Sequence, residues 1–216
     1  MGIALFDRKW NTATLLACIL SLSCLLGCSG SKKETTSVSQ VLSQKLYLRS
    51  QQELAQGEYE KAYNDYQKAV EADPDVADVG HLSSILYAWV ISESETEDVP
   101  RLNAQKRVWL EPGQLALRRD LVALTVDRDK GIIYAFGLGL APDNISNDTQ
   151  KRFLARKAAL ADAQAWIARL ATWGEGGVEC PFDVSQTTVN VEVRKEYWIS
   201  EIIYVVGVSA PINCLS

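Results

Sequence analysis

The sequence predicts an α+β protein, an N-terminal helical hairpin followed by a small sheet covered by one long alanine-rich helix. Three observations predict it. Tyr59, Ala62, Tyr63, Tyr66, Ala69 and Val70 recur at three- and four-residue steps, the period of an amphipathic helix. The run 131–140 (GIIYAFGLGL) is β-branched and aromatic, bounded by charge and by Pro142, as in a buried strand. Alanine, the best helix former, then dominates from Asn147 to Ala171, and two further apolar segments follow.

In chain order, Arg8 and Lys9 precede an apolar run from Thr14 to Leu26, and Gly27 precedes Cys28. Positive region, apolar region and small residue are the order of a secretory signal peptide. The apolar run makes roughly 20 Å of helix, short of the ~30 Å hydrocarbon core, so cleavage is expected rather than a spanning helix. Leu25-Leu26-Gly27-Cys28 also resembles the bacterial lipobox. That resemblance implies a cysteine that becomes the new N-terminus and carries lipid, palmitate among it, on its sulfur and amine. Ser29 follows it, not aspartate, which by analogy points to an outer-membrane lipoprotein facing the periplasm. Phe6 and Cys214 stand where eukaryotic myristoyl and prenyl signals need other residues or spacing. Residues 29–40 (SGSKKETTSVSQ) are polar and read as a flexible tether.

From Val41 the chain reads helix, turn, helix, with Leu42, Leu46, Leu48 and Leu54 marking the first helix, Gly57 at the turn and Asp73-Pro74 as the stop. The stretch 57–75 (GEYEKAYNDYQKAVEADPD) resembles the tetratricopeptide repeat, with Gly57, Tyr59, Ala62, Tyr66, Ala69 and Pro74 at the signature positions. The resemblance implies a protein-binding module, with Tyr59, Tyr63 and Tyr66 as the expected docking side chains. A further first helix follows at Asp78–Val90, and then the pattern stops. Solenoid repeats bury their faces against neighbours, so one and a half repeats must pack on the rest of the chain or on partners.

Residues 92–98 (SESETED) read as a solvated acidic loop, and 92–112 as a linker. Gln114–Asp127 fits either a short helix or strands. The Gly137-Leu138-Gly139 pair lacks the third glycine and the strand-to-helix turn of a dinucleotide site. In the long helix Ala155, Ala159 and Ala163 form one stripe and Ala158, Ala161, Ala165 and Ala168 another, small surfaces that let a helix lie close to a sheet. Arg152, Arg156, Lys157 and Arg169 read as a solvated face or as a basic stripe that meets lipid or peptidoglycan. Thr187–Lys195 alternates as one strand, and Trp198–Val208 reads as a second. The segments AFGLGLA, ARKAALADAQAWIARL and VRKEYWISEIIYVVGVSAP resemble small bacterial envelope lipoprotein domains, found with flagellar disks and in the N-terminal domain of flagellar assembly protein T. That resemblance implies a structural or assembly role.

The expected layout is therefore 1–27 signal peptide, 28–40 tether, 41–91 tetratricopeptide-like module, 92–112 linker and 113–216 α+β domain. Of the five cysteines, Cys18 and Cys24 leave with the signal and Cys28 is the lipidation site. Cys180 and Cys214 remain, and either a bridge or two free thiols fits them. A bridge would close a loop of about 35 residues and stabilise by roughly 3–4 kcal/mol.

The net charge is −5, and removing residues 1–27 makes it −6, which disfavours phosphate backbones and hence nucleic acid. His81 is the lone histidine, which argues against imidazole metal sites. The sequence has no GxSxG, HExxH or P-loop, and Glu175, Glu179 and Asp183 read as loop acids. The expectation is a non-enzymatic, cofactor-free, lipid-anchored envelope adaptor or scaffold that contacts envelope proteins or itself. The alternative is a structural or peptidoglycan-associated lipoprotein, with Trp109, Trp173 and Trp198 as the aromatics that stack on sugars.

Overall fold

Gly57, at φ +78°, lets the chain reverse between helices α1 (Val38–Gln56) and α2 (Tyr59–Ala72) in a computed structural model that describes residues 38–176 and 190–212. The two helices meet through small residues. Ser43 and Ser50 on α1 and Ala62 and Ala69 on α2 are fully buried, each pair one heptad apart. The serine hydroxyls donate across the seam, Ser43 Oγ to the Ala69 carbonyl at 2.8 Å and Ser50 Oγ to the Ala62 carbonyl at 2.7 Å. A 3-10 turn at Pro74–Val76 leads to α3 (Val79–Glu93), whose first N–H groups are capped by the Asp78 carboxylate. Tyr66 ties that cap down: the Asp78 N–H donates to its hydroxyl, which donates to the Asp78 carbonyl.

The segment expected as a linker is instead structured. It carries α4 (Val99–Leu110), with Pro100 in its first turn and Leu102, Ala104, Gln105 and Val108 buried. The ambiguous stretch that follows forms α5 (Leu115–Thr125) and a two-residue strand β1 (Val126–Asp127). The described residues from Val38 on group as one unit rather than as two modules on a linker.

The sheet runs β1-β2-β4-β3, all antiparallel, with β2 at Ile132–Leu140, β3 at Glu192–Ile199 and β4 at Ile203–Pro211. The long helix α6 (Asp148–Gly176) covers one face. Ile133, Ala135, Tyr204, Val206, Val208 and Ala210 point to it. Alternate residues Phe136, Leu138, Leu140, Ile203 and Val205 point the other way and pack with Ala62, Tyr63, Tyr66, Ile85, Trp89 and Leu102 of the helices. The expected picture of one helix over a small sheet therefore gains a third layer, because both sheet faces are apolar.

Gly137 and Gly139 face α6. A Cβ on Gly137 would stand 2.0 Å from the Ala159 carbonyl oxygen, and one on Gly139 2.0 Å from that of Ala155. The glycine pair thus meets the fully buried Ala155, Ala159 and Ala163 stripe, backbone against backbone. Of the second stripe, Ala158 and Ala161 are exposed and only Ala168 is buried.

The segment Trp198–Val208 is not one strand. The chain turns at Ser200 (φ 49°) and Glu201 (φ 57°), with the Ile202 N–H on the Ile199 carbonyl, so Ile199 ends β3 and Ile203 begins β4. Both turn residues take the left-handed conformation that hairpins normally give to Asn and Gly. A register shift between Val193 and Lys195 marks a β-bulge at Arg194. The bulge places Lys195 on the face away from α6, beside Gly207 and Asp98, while Val193 stays on the α6 side.

Candidate functional site

The buried polar groups come first, because chemistry would need them. His81 lies in the packing of α1, α2 and α3, with its ring 5.0 Å from that of Tyr47 and 5.6 Å from that of Tyr66. Its Nε2 meets Ser50 Oγ at 2.9 Å, and Asp78 is near. This is a serine, a histidine and an aspartate together, but the geometry is structural. Ser50 is fully buried and its proton is committed to the Ala62 carbonyl. The Asp78 carboxylate accepts from backbone N–H groups and from the Tyr47 hydroxyl at 2.9 Å. The His81 N–H and Tyr47 hydroxyl hold Asp78 below the usual carboxylate range, while burial lowers His81 against the pull of Asp78.

A second polar group closes the open edge of β2. Beyond Ile133 that edge has no strand beside it among the described residues. The fully buried Gln105 takes a strand's place: its Nε2 donates to the Phe136 carbonyl and its Oε1 accepts from the Phe136 N–H, both at 2.9 Å. Asp162 accepts from the Leu138 N–H at 3.0 Å. Although partly open to solvent, the Asp162 carboxyl is pushed up to about 6, first by desolvation, against the Leu138 bond and Arg169. Burial lowers Arg169 in turn, and it raises the phenol of the buried Tyr87. Neither Gln105 nor Asp162 was singled out in the sequence. Gln105 sits in a segment with no strand signal, and Asp162 lies one residue beside the alanine stripe.

The third group is an ion-pair cluster. Lys195 Nζ bonds Glu95 at 3.0 Å and also bonds the buried Asp98, which Arg101 approaches at 3.8 Å. Glu95, Glu97 and Asp98 could together offer ligand oxygens, but the Lys195 ammonium already sits among them. Asp98 and Lys195 also line, with Tyr134, Arg194 and Gly207, a mixed-polarity hollow of about 300 Å³.

The expected docking tyrosines do not form a surface. Tyr63 and Tyr66 are core residues, and only Tyr59 keeps partial exposure. They fill the gap between helices and the sheet, which is why their spacing looks so regular. The aromatic set expected for sugar stacking is likewise reduced. Trp173 is buried, and Trp198 packs edge-on against Tyr204 under Arg152. Trp109 is 40% exposed, with its N–H on Ser83 Oγ. The basic face of α6 is partly spent on ion pairs, Arg156 with Glu196 and Arg152 with Glu201.

Two apolar surfaces stand out instead. One is the outer face of α1, where Val38, Val41, Leu42 and Leu48 are exposed. The other is a groove of about 200 Å³ between α6 and β3, lined by Phe153, Lys157, Leu160, Val193 and Val206. Phe153, at 63% exposure, stands at its rim. Among the described residues β3 is the outermost strand, so this groove runs beside a sheet edge.

Cys28, Cys180 and Cys214, and the acids Glu179 and Asp183, lie outside the described residues. No described helix is long and apolar enough to cross a membrane. No family model, curated protein or solved structure matches the chain.

Proposed function

We propose that this chain is a non-catalytic, lipid-anchored bacterial envelope protein that serves as an adaptor or assembly scaffold through protein contacts. Anchoring is supported by the Arg8-Lys9 region, the apolar run and the Leu25–Cys28 motif. The observation that carries the contact role is the groove beside β3. It is an apolar trough next to a sheet edge, with Phe153 and Val193 left in water. Such a trough takes an extended segment of a partner, backbone on the strand and side chains on Phe153 and Leu160. Arg156 on one wall is ion-paired with Glu196 on the other, and Lys157 adds a positive charge on the α6 side. Envelope proteins or further copies of the chain are the partners this reading assigns.

The test is a photo-crosslinker replacing Phe153 in the full-length protein in its own envelope, with Leu124 as the exposed control site. Protein adducts at 153 that are absent at 124, and that Val193→Lys removes, support the adaptor reading. Equal adducts at both sites, or none at 153, reject it.

A further inference from the structure

We propose that the outer face of α1 is a second membrane contact, which lies on the lipid surface beside the acylated N-terminus. It rests on the reading of Cys28 as the acylated residue.

The burial of α1 motivates it: Tyr47 and Leu54 pack inward, but four aliphatic residues stay outside. The helix hides Ser43 and Ser50 and shows Val38, Val41, Leu42 and Leu48 to solvent, at 87%, 56%, 51% and 64% exposure. Val38, Val41, Lys45 and Leu48 follow one another at three- and four-residue steps, a single stripe. The helix packs on α2 through its serine side, and the stripe faces away from it.

Two further observations select lipid as the occupant. The first is reach. Ten peptide units separate Cys28 from Val38, at most about 35 Å when fully extended, so α1 never leaves the neighbourhood of an acylated Cys28. The second is charge. The chain as a whole is acidic, at −5, but the exposed ionic groups of α1 are Lys45 and Arg49, of which Arg49 is ion-paired with the buried Asp65. Its one acid, Glu53, is turned inward, with its side chain 12% exposed beside Arg49. Aliphatic residues with flanking cations make up an interfacial helix on an anionic surface. The stripe from Val38 to Leu48 is roughly 15 Å long by helical rise. At a helix width of about 10 Å it covers about 150 Å², far short of the ~800 Å² per partner of a stable protein interface. A bilayer needs no such area, since the anchor already supplies a high local concentration.

The experiment uses the mature, lipidated full chain in vesicles of phosphatidylethanolamine and phosphatidylglycerol, with p-benzoylphenylalanine replacing Leu48 or, as control, Leu124 of α5. The expected result is a phospholipid adduct at 48 about tenfold above that at 124, falling to the control level in Val41→Glu. Adducts to protein at 48, whether a second copy or another chain, overturn the proposal, as does lipid labelling no greater than at 124. The intact mass of the N-terminal peptide is read from the same sample. An unacylated Cys28 removes the anchor reading and this inference with it, whereas an acylated Cys28 without lipid adducts at 48 removes this inference alone.

Discussion

Two seams of this molecule bring backbones close together by different means. The α1–α2 seam uses Ser43 and Ser50 against Ala62 and Ala69, and its hydroxyls bond the facing carbonyls. The β2–α6 seam uses Gly137 and Gly139 against Ala155, Ala159 and Ala163, with no room for one more carbon. A hydroxyl seam can lose a bond and keep its spacing. A glycine seam cannot gain an atom without moving a 29-residue helix off its sheet. The seams also differ in titration. The first holds His81, depressed by burial, and the second adjoins Asp162, raised by it.

The largest effect is expected at the glycine seam. Gly139→Val should destabilise by more than about 3 kcal/mol in urea unfolding, since its Cβ meets a carbonyl oxygen rather than a movable side chain. An effect near that of a surface substitution would break the comparison. Next is Gln105→Leu, which strands the Phe136 N–H and carbonyl inside the protein. About 2–4 kcal/mol should be lost, and Gln105→Glu should not restore it, because it cannot donate to the carbonyl. Ser50→Ala sharpens the other side: its seam keeps its spacing and loses about 1–2 kcal/mol in the same measurement.

Acid should separate the seams by sign. Asp162 holds protons in the fold that the unfolded chain releases, so its contribution to stability grows as pH falls from about 6 toward 3.8. His81 binds protons less readily folded than unfolded, so its contribution shrinks as pH falls below 6.5. Urea midpoints measured from pH 7 to 4 should therefore lose the acid gain in Asp162→Asn and the acid loss in His81→Gln. If neither variant changes the pH profile, the two groups are as solvated as surface side chains. The smallest effect belongs to the outer face of α1, where Leu48→Glu should alter stability by less than about 0.5 kcal/mol.

The sequence was legible where a period coincided with burial. Helices α2, α3 and α6 and strand β2 lie where apolar spacing put them, and α1 forms where expected although Leu42 and Leu48 on it are exposed. Helix α4 was missed because only Leu102, Ala104, Gln105 and Val108 of its residues are buried, a pattern with a glutamine in it. The hairpin turn was missed because Ser200 and Glu201 carry no turn signal for their positive φ. The docking tyrosines were misplaced for a related reason. Periodicity finds the residues of one face, and that face proved to be the inner one, covering Phe136 and Val205.

Local chemistry alone determined the apolar run that ends at Cys28, the helical and strand periods, and the small-residue stripes. Those properties depend on neighbours a few positions apart, which a sequence displays directly. Only the tertiary structure decided that the helices and the sheet share a core, that Gly137 and Gly139 exist for α6, and that Gln105 stands in for a strand. Each of these joins residues more than fifteen positions apart. Its cause is the need to pair or bury what the local elements leave open.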